Sequence, residues 1–251
     1  MTKSDEYRAR LRSLKSWDAY LLQESGLPGP RGNLELAQVV EDEGDPALFR
    51  RYLAYTSEQA PVNSPYEFLA FCGVVGLGRV VAESGGMGAN RELVEVLRGC
   101  ASDPRWRLRE GVAMALQRIG EADMDGLLVE MDAWSRGTPL EQRAAAAALC
   151  EPRLLCQPEQ VRQVLQILDH ITASIADVQE RRSPDFLALR KGLGYCWSVA
   201  VAALPDEGKA YMERWLADPD KDIRWIMREN LKKKRLARLD ADWVEKWRAT
   251  G

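Results

Sequence analysis

One pattern occurs twice in this chain, and it constrains the fold more than any other feature. Residues Asp103-Pro104-Arg105-Trp106-Arg107-Leu108-Arg109 run on through Glu110, Val112 and Leu116, and Asp218-Pro219-Asp220-Lys221-Asp222-Ile223-Arg224 run on through Met227 to Leu231. In both, Asp-Pro leads to an aliphatic residue five positions after the Asp, then to Arg, and then to apolar residues four and eight positions beyond that aliphatic residue. Self-similarity of this kind marks stacked helical repeats, in which no unit buries its apolar face alone and neighbours together make one core. The expected architecture is all-α, a right-handed superhelical stack of helical hairpins.

The arginine tracks the phase of the repeat. Arg109, Arg143, Arg190 and Arg224 follow Asp103-Pro104, Thr138-Pro139, Ser183-Pro184 and Asp218-Pro219, at intervals of 34, 47 and 34 residues. Ser64-Pro65 opens an earlier unit. Each Pro is expected in the first helical turn, where its missing N–H is no loss, with the preceding Asp, Ser or Thr as cap. Partner helices are expected ahead of these, over residues 91–100, 122–134, 159–178 and 207–216. Residues 4–24 read as one amphipathic helix capped by Ser4, ending in the Gly- and Pro-rich connector of residues 26–32. The chain therefore divides into an N-terminal helix with its connector (1–32) and a repeat domain (33–251).

Leu93, Leu97, Asp103-Pro104, Leu108-Arg109-Glu110, Ala113, Ala115-Leu116 and Ile119-Gly120 resemble a HEAT repeat, the armadillo-like helical hairpin, nearly position for position. Ile223-Arg224 through Leu231 repeat the match, and Arg143 and Arg190 repeat it loosely. The resemblance covers residues 35–235. It implies that Asp103, Arg109, Asp218 and Arg224 tie neighbouring units together, and that the chain is a non-enzymatic scaffold. A fold of this kind says nothing of chemistry, which has to be argued from a site.

Composition removes several alternatives. The five cysteines form no Cys-x-x-Cys pair and there is a single histidine, His170. A zinc cluster is therefore not expected, nor any other cofactor, and the cysteines read as reduced fillers of helix interfaces. No uncharged apolar run reaches the ~18 residues that span a bilayer, and residues 1–6 lack the apolar core of a signal peptide. A cytoplasmic protein without membrane contact is expected. The glycines of residues 73–78 are expected to let two helices approach, and those of 84–88 to form a flexible turn. Neither set has the Gly-Lys-Ser/Thr ending of a phosphate loop. Glu41-Asp42-Glu43 read as a solvated turn before Asp45-Pro46.

The strongest electrostatic feature lies near the C-terminus. Residues 221–238 hold eight basic residues against Asp222 and Glu229, within a chain of net charge −3. On one continuous helix, Lys221, Arg224, Arg228, Lys232, Arg235 and Arg238 would share a broad face. Lys221, Arg224, Trp225, Arg228, Lys232 and Arg235, with Trp197 from the preceding helix, are the candidate binding surface. The expected partner is a protein or peptide along the concave side of the repeats. The alternative is nucleic acid, because Trp225-Ile226-Met227-Arg228-Glu229, with Trp243-Val244-Glu245, resembles the last repeats of the HEAT-like DNA alkylation-repair glycosylases. Asp132-Ala133-Trp134 is a poor counterpart of that family's catalytic Asp, so no catalytic residue is assigned.

Overall fold

The computed structural model describes residues 2–249, and every regular element among them is helical. Contacts divide the chain into two units between Ala122 and Asp123. The first holds α1 (Lys3–Ser13), α2 (Asp18–Glu24), α3 (Leu34–Glu43), α4 (Pro46–Leu53), α5 (Pro65–Glu83), α6 (Gly86–Ala89), α7 (Arg91–Ala101) and α8 (Trp106–Ala122). The second holds α9 (Met124–Trp134), α10 (Pro139–Leu149), α11 (Pro158–Ser174), α12 (Pro184–Ala203), α13 (Pro205–Leu216), α14 (Lys221–Leu231), α15 (Lys234–Leu239) and α16 (Ala241–Ala249).

The cap-and-proline reading places several helix starts to the residue. Ser64, Thr138 and Ser183 are N-caps whose side chains accept an N–H three residues on, each followed by Pro in the first turn, and Asp45, not assigned a helix start from the sequence, caps α4 in the same way. The two Asp-Pro openings differ. Pro104 and Pro219 precede their helices by two residues, and Asp103 and Asp218 accept the N–H groups of Arg105 and Asp220 inside the turn. The cap of α14 is Asp220, which accepts from Asp222 and Ile223.

The N-terminal segment is two helices rather than one. Thr2, not Ser4, caps the first through a capping box with Asp5, and Trp17 closes the break by donating its Nε1–H to the Leu11 carbonyl at 2.9 Å. α1 packs on α3 and α2 on α5, so residues 2–32 build into the first unit. Glu41, Asp42 and Glu43 are not a solvated turn. They complete α3, with Glu41 buried and Glu43 bonded to Arg8 and Arg12.

α5 is the axis of the first unit, packed against α3, α4, α7 and α8. Its glycines set those approaches. A Cβ on Gly76 would lie 2.3 Å from the Phe49 ring, and one on Gly78 would lie 2.5 Å from the backbone of Ala115. α5 is by length and composition apolar enough to cross a bilayer, although Glu67 and Arg79 interrupt it, and 72% of that stretch is buried within the protein, as in a core helix. The glycines of residues 84–88 form a tight turn, with Gly85 and Gly86 at φ 97° and 74°, that leads straight into α6.

In the second unit the paired helices lie in two rows. α10, α12 and α14 pack side by side, and α9, α11 and α13 form the row behind them. Leu108, Val112 and Leu116 of α8, and Ile223, Met227 and Leu231 of α14, are all buried on matching faces, as the repeat predicts. Asp103 holds Arg105, which donates to the Tyr55 and Ala60 carbonyls of the segment between α4 and α5, and further ties come from residues not named by the repeat pattern. Arg109 turns back to the carbonyls of its own Asp103-Pro104 turn, and the Arg224 side chain makes no hydrogen bond or ion pair among the described residues. Instead Asp222, 3% exposed, accepts from Arg181 at 3.2 Å and from Arg190 at 2.5 Å. Asn230, fully buried, accepts the Ser198 N–H at 2.8 Å and donates to the Leu193 carbonyl at 2.8 Å, joining α14 to α12.

Candidate functional site

The basic run is not one continuous helix. α14 ends at Leu231, Lys232 and Lys233 form a turn, and α15 starts at Lys234. The 100° periodicity that would line up Lys221 through Arg238 therefore holds only as far as the end of α14. Lys221, Trp225, Arg228 and Lys232 follow one stripe, with Arg224 beside it, and Lys232 pairs with Glu229. Arg235 is swung off this stripe by the turn.

Trp197 does not belong to the surface. It is fully buried in α12, and its Nε1–H donates to Thr172 Oγ1 of α11 at 3.1 Å. Position on a repeat helix cannot separate an inward from an outward tryptophan, because both faces of a hairpin helix meet neighbours. Trp134 is likewise fully buried, bonded to Glu130, while Asp132 forms a surface pair with Arg136. No Asp stands beside an exposed Trp at that position.

What the turn does is bring α15 back over α12. Arg235 donates to the Tyr195 hydroxyl with its guanidinium 4.8 Å from the ring centroid, and the Lys233 ammonium lies 5.6 Å from the same centroid. One helix further, Arg190 stacks 4.4 Å from the half-buried Trp225 ring while its other side holds Asp222. Leu187, Lys191 and Tyr195 are exposed at four-residue spacing on α12, and Tyr195 retains 47% exposure. Gly194 permits the approach, since a Cβ there would meet Trp225 and Glu229 of α14 at 3.3 and 3.2 Å.

The result is a platform of cations laid on aromatic faces across α12, α14 and α15. Cation–ring contact holds an otherwise floppy side chain in place and leaves its remaining N–H groups facing outward. Such a surface recognises carboxylates or phosphates beside apolar or ring groups. Lys191, Arg190 and Tyr195 were not among the sequence-derived residues. Their signal was the four-residue spacing after Ser183-Pro184, which core positions share.

The cysteines are all free. Cys72, Cys150 and Cys196 are buried, and Cys150 lies within hydrogen-bonding reach of Cys196. Burial raises the Cys72 and Cys150 thiols well above their ordinary value, and that of Cys100 to about 11. Cys156 is exposed rather than part of a helix interface. Among the described residues, no group of three or more His, Cys, Asp or Glu is placed to hold a metal ion.

Compared with known proteins, the chain matches no protein-family model and no curated protein.

Proposed function

We propose that the chain is a non-enzymatic interaction scaffold of the HEAT-like kind, and that its second unit binds an acidic segment of a protein or peptide. The right-handed superhelical stack expected of such repeats is part of the same proposal. The observation that carries it is the Tyr195–Arg235–Lys233 and Trp225–Arg190 platform, in which aromatic anchors sit among fixed cations. Tyr, Trp and Arg dominate the energetics of protein interfaces, and bidentate Arg suits carboxylates. The two rows of paired helices behind it supply the rigid support such a surface needs.

Duplex DNA is the second reading, favoured by one observation: the three consecutive lysines at the α14–α15 turn, with Arg235 and Arg238 following. The two readings separate in one experiment. A Glu- and Asp-rich peptide carrying an aromatic residue, and a duplex of mixed sequence, are each titrated against the protein at rising salt. The scaffold reading expects peptide binding that Lys191→Glu with Lys232→Glu abolishes, the melting temperature being unchanged. Duplex binding that persists at ~150 mM salt and falls steeply above it, with no peptide binding, would reverse the choice.

A further inference from the structure

The first unit holds a second feature, independent of the platform. A cleft of about 430 Å³ opens between the connector, α5 and α8, walled by Phe68, Phe71, Trp106 and Met114 with Leu34 at its edge. That volume falls within the range of small-molecule pockets, which are mostly apolar with a few placed polar groups. Trp106 keeps 45% of its surface exposed and Leu34 keeps 55%, although a core of this packing would hide both. The apolar wall is thus built but not filled by the protein's own side chains.

The polar groups sit on one side. The Arg107 guanidinium lies over the Trp106 ring, 4.5 Å from its centroid, anchored to the buried Glu67 at 3.0 Å and to the Gly29 carbonyl at 2.8 Å. Those bonds fix the guanidinium as part of the cleft lining. Within that ion pair the buried Arg107 Nε–H has no acceptor and the buried Glu67 Oε1 has no donor. Arg31, exposed at the rim, makes no ion pair among the described residues. Leaving a buried charged donor unmatched is unfavourable, and an anionic oxygen placed between Arg107 and the hydrated Arg31 at the rim would gain charge-assisted contacts from both. Glu110, exposed on the same wall, lies one turn from Arg107.

We propose that this cleft binds a small amphipathic carboxylate, its apolar or aromatic body against Trp106, Phe68 and Phe71 and its single carboxylate towards Arg31 and Arg107. The body would lie on the Trp106 face in offset stacking, and the head would accept from the guanidinium groups. Arg107 is held by Glu67 whether or not a ligand is present, so the site is preformed and binding requires no rearrangement of α5 or α8.

The test uses the intact protein and two probes, 2-naphthoate and its neutral counterpart 2-naphthylmethanol, titrated by calorimetry. The acid is expected to bind about tenfold more tightly than the alcohol, the usual worth of one charge-assisted contact. Arg31→Gln should remove that preference while leaving the alcohol's affinity alone, and Met114→Trp should block both probes by filling the cleft. Circular dichroism and melting verify that each variant is folded. Equal affinity for acid and alcohol would overturn the proposal, as would undiminished binding in folded Met114→Trp. Failure of both probes, with saturable and Met114→Trp-sensitive binding of a Leu- and Phe-containing amphipathic peptide, would overturn it in favour of a peptide groove.

Discussion

Three residues carry consequences that their positions in the sequence do not announce. Asp220 caps α14, accepts from Arg181 at 2.5 Å and sits two residues before the buried Asp222. Burial raises its pKa, but Arg181 and the N–H groups of Asp222 and Ile223 more than offset this and hold it below the ordinary value. Asp220→Ala should lower stability by about 0.5–2 kcal/mol through the lost cap alone. Asp218→Ala, which removes one turn bond, should cost less. Paired chemical denaturation curves decide it, and a larger loss at Asp218 would restore the assignment made from the Asp-Pro pattern. Asn230 is a strut: Asn230→Leu keeps the volume but removes the bonds to the Ser198 N–H and the Leu193 carbonyl that join α14 to α12. At about 0.5–1.5 kcal/mol for each hydrogen bond lost, the change should destabilise by roughly 1–3 kcal/mol, read by chemical denaturation. Glu41 works in the opposite sense. Burial lifts its pKa from 4.5 to about 7, against the opposing pull of Arg118, and one of its oxygens has no hydrogen-bond partner. The folded state therefore holds a proton there that the unfolded state has released between pH 4.5 and 7, so stability falls as pH rises through that window. The swing is on the order of 3 kcal/mol. Glu41→Gln should raise the melting temperature at pH 8 and change it little near pH 4.5; the same gain at both would show that ionisation is not the cause.

At the scale of elements, close approach in the first unit depends on glycine. Gly78→Ala puts a methyl 2.5 Å from the Ala115 backbone, which a side-chain shift cannot relieve. α5 and α8 must then separate, and overpacking of this kind destabilises by about 1–3 kcal/mol. Gly88→Ala, whose Cβ would meet nothing within 4 Å, is the matched control. Similar melting temperatures for the two would mean that α5 and α8 are not held this close. Leu116→Ala, in the same interface, should cost about 2–5 kcal/mol as a core leucine does. The break at Lys232-Lys233 has the opposite value: it ends an amphipathic helix early and returns Arg235 to Tyr195. The platform is thus made by a turn, and an unbroken helix would have spread the same charges along one side.

For the whole molecule, charge decides what can approach. Net charge is −3, so the cations of the second unit are local and most of the remaining surface is neutral or acidic. A long polyanion meets repulsion beyond the platform, while a short acidic segment does not. The expectation is a peptide interaction whose on-rate falls with salt and no retention on duplex DNA at ~150 mM salt. Filter binding with a duplex much longer than the platform tests this. Tighter binding to longer duplexes would show that the surface charge outside the platform does not oppose them.

The helical content, the starts of α5, α10 and α12, and the burial of Leu108, Val112, Leu116, Ile223, Met227 and Leu231 were legible in the sequence alone. They rest on local rules: a cap side chain reaches three residues on, proline excludes itself from helix interiors, and a 3.6-residue period sorts apolar from polar. Periodicity assigns a residue to a face, but in a hairpin stack it cannot tell which face meets a neighbour. That is why Trp197 lies in the core while Trp106 is left half in solvent, and why Tyr195 is found on the surface beside a buried Cys196. Glu41 shows the same limit, since three consecutive acids look solvated until α5 and α8 close over one of them. The pairing of Arg235 with Tyr195, 40 residues apart, and of Arg107 with Glu67, also 40 apart, exists only after the helices have packed. Both candidate sites are built from such long-range pairs, so only the tertiary structure decides them: their geometry depends on how closely α12 meets α14 and α5 meets α8, which no local rule contains.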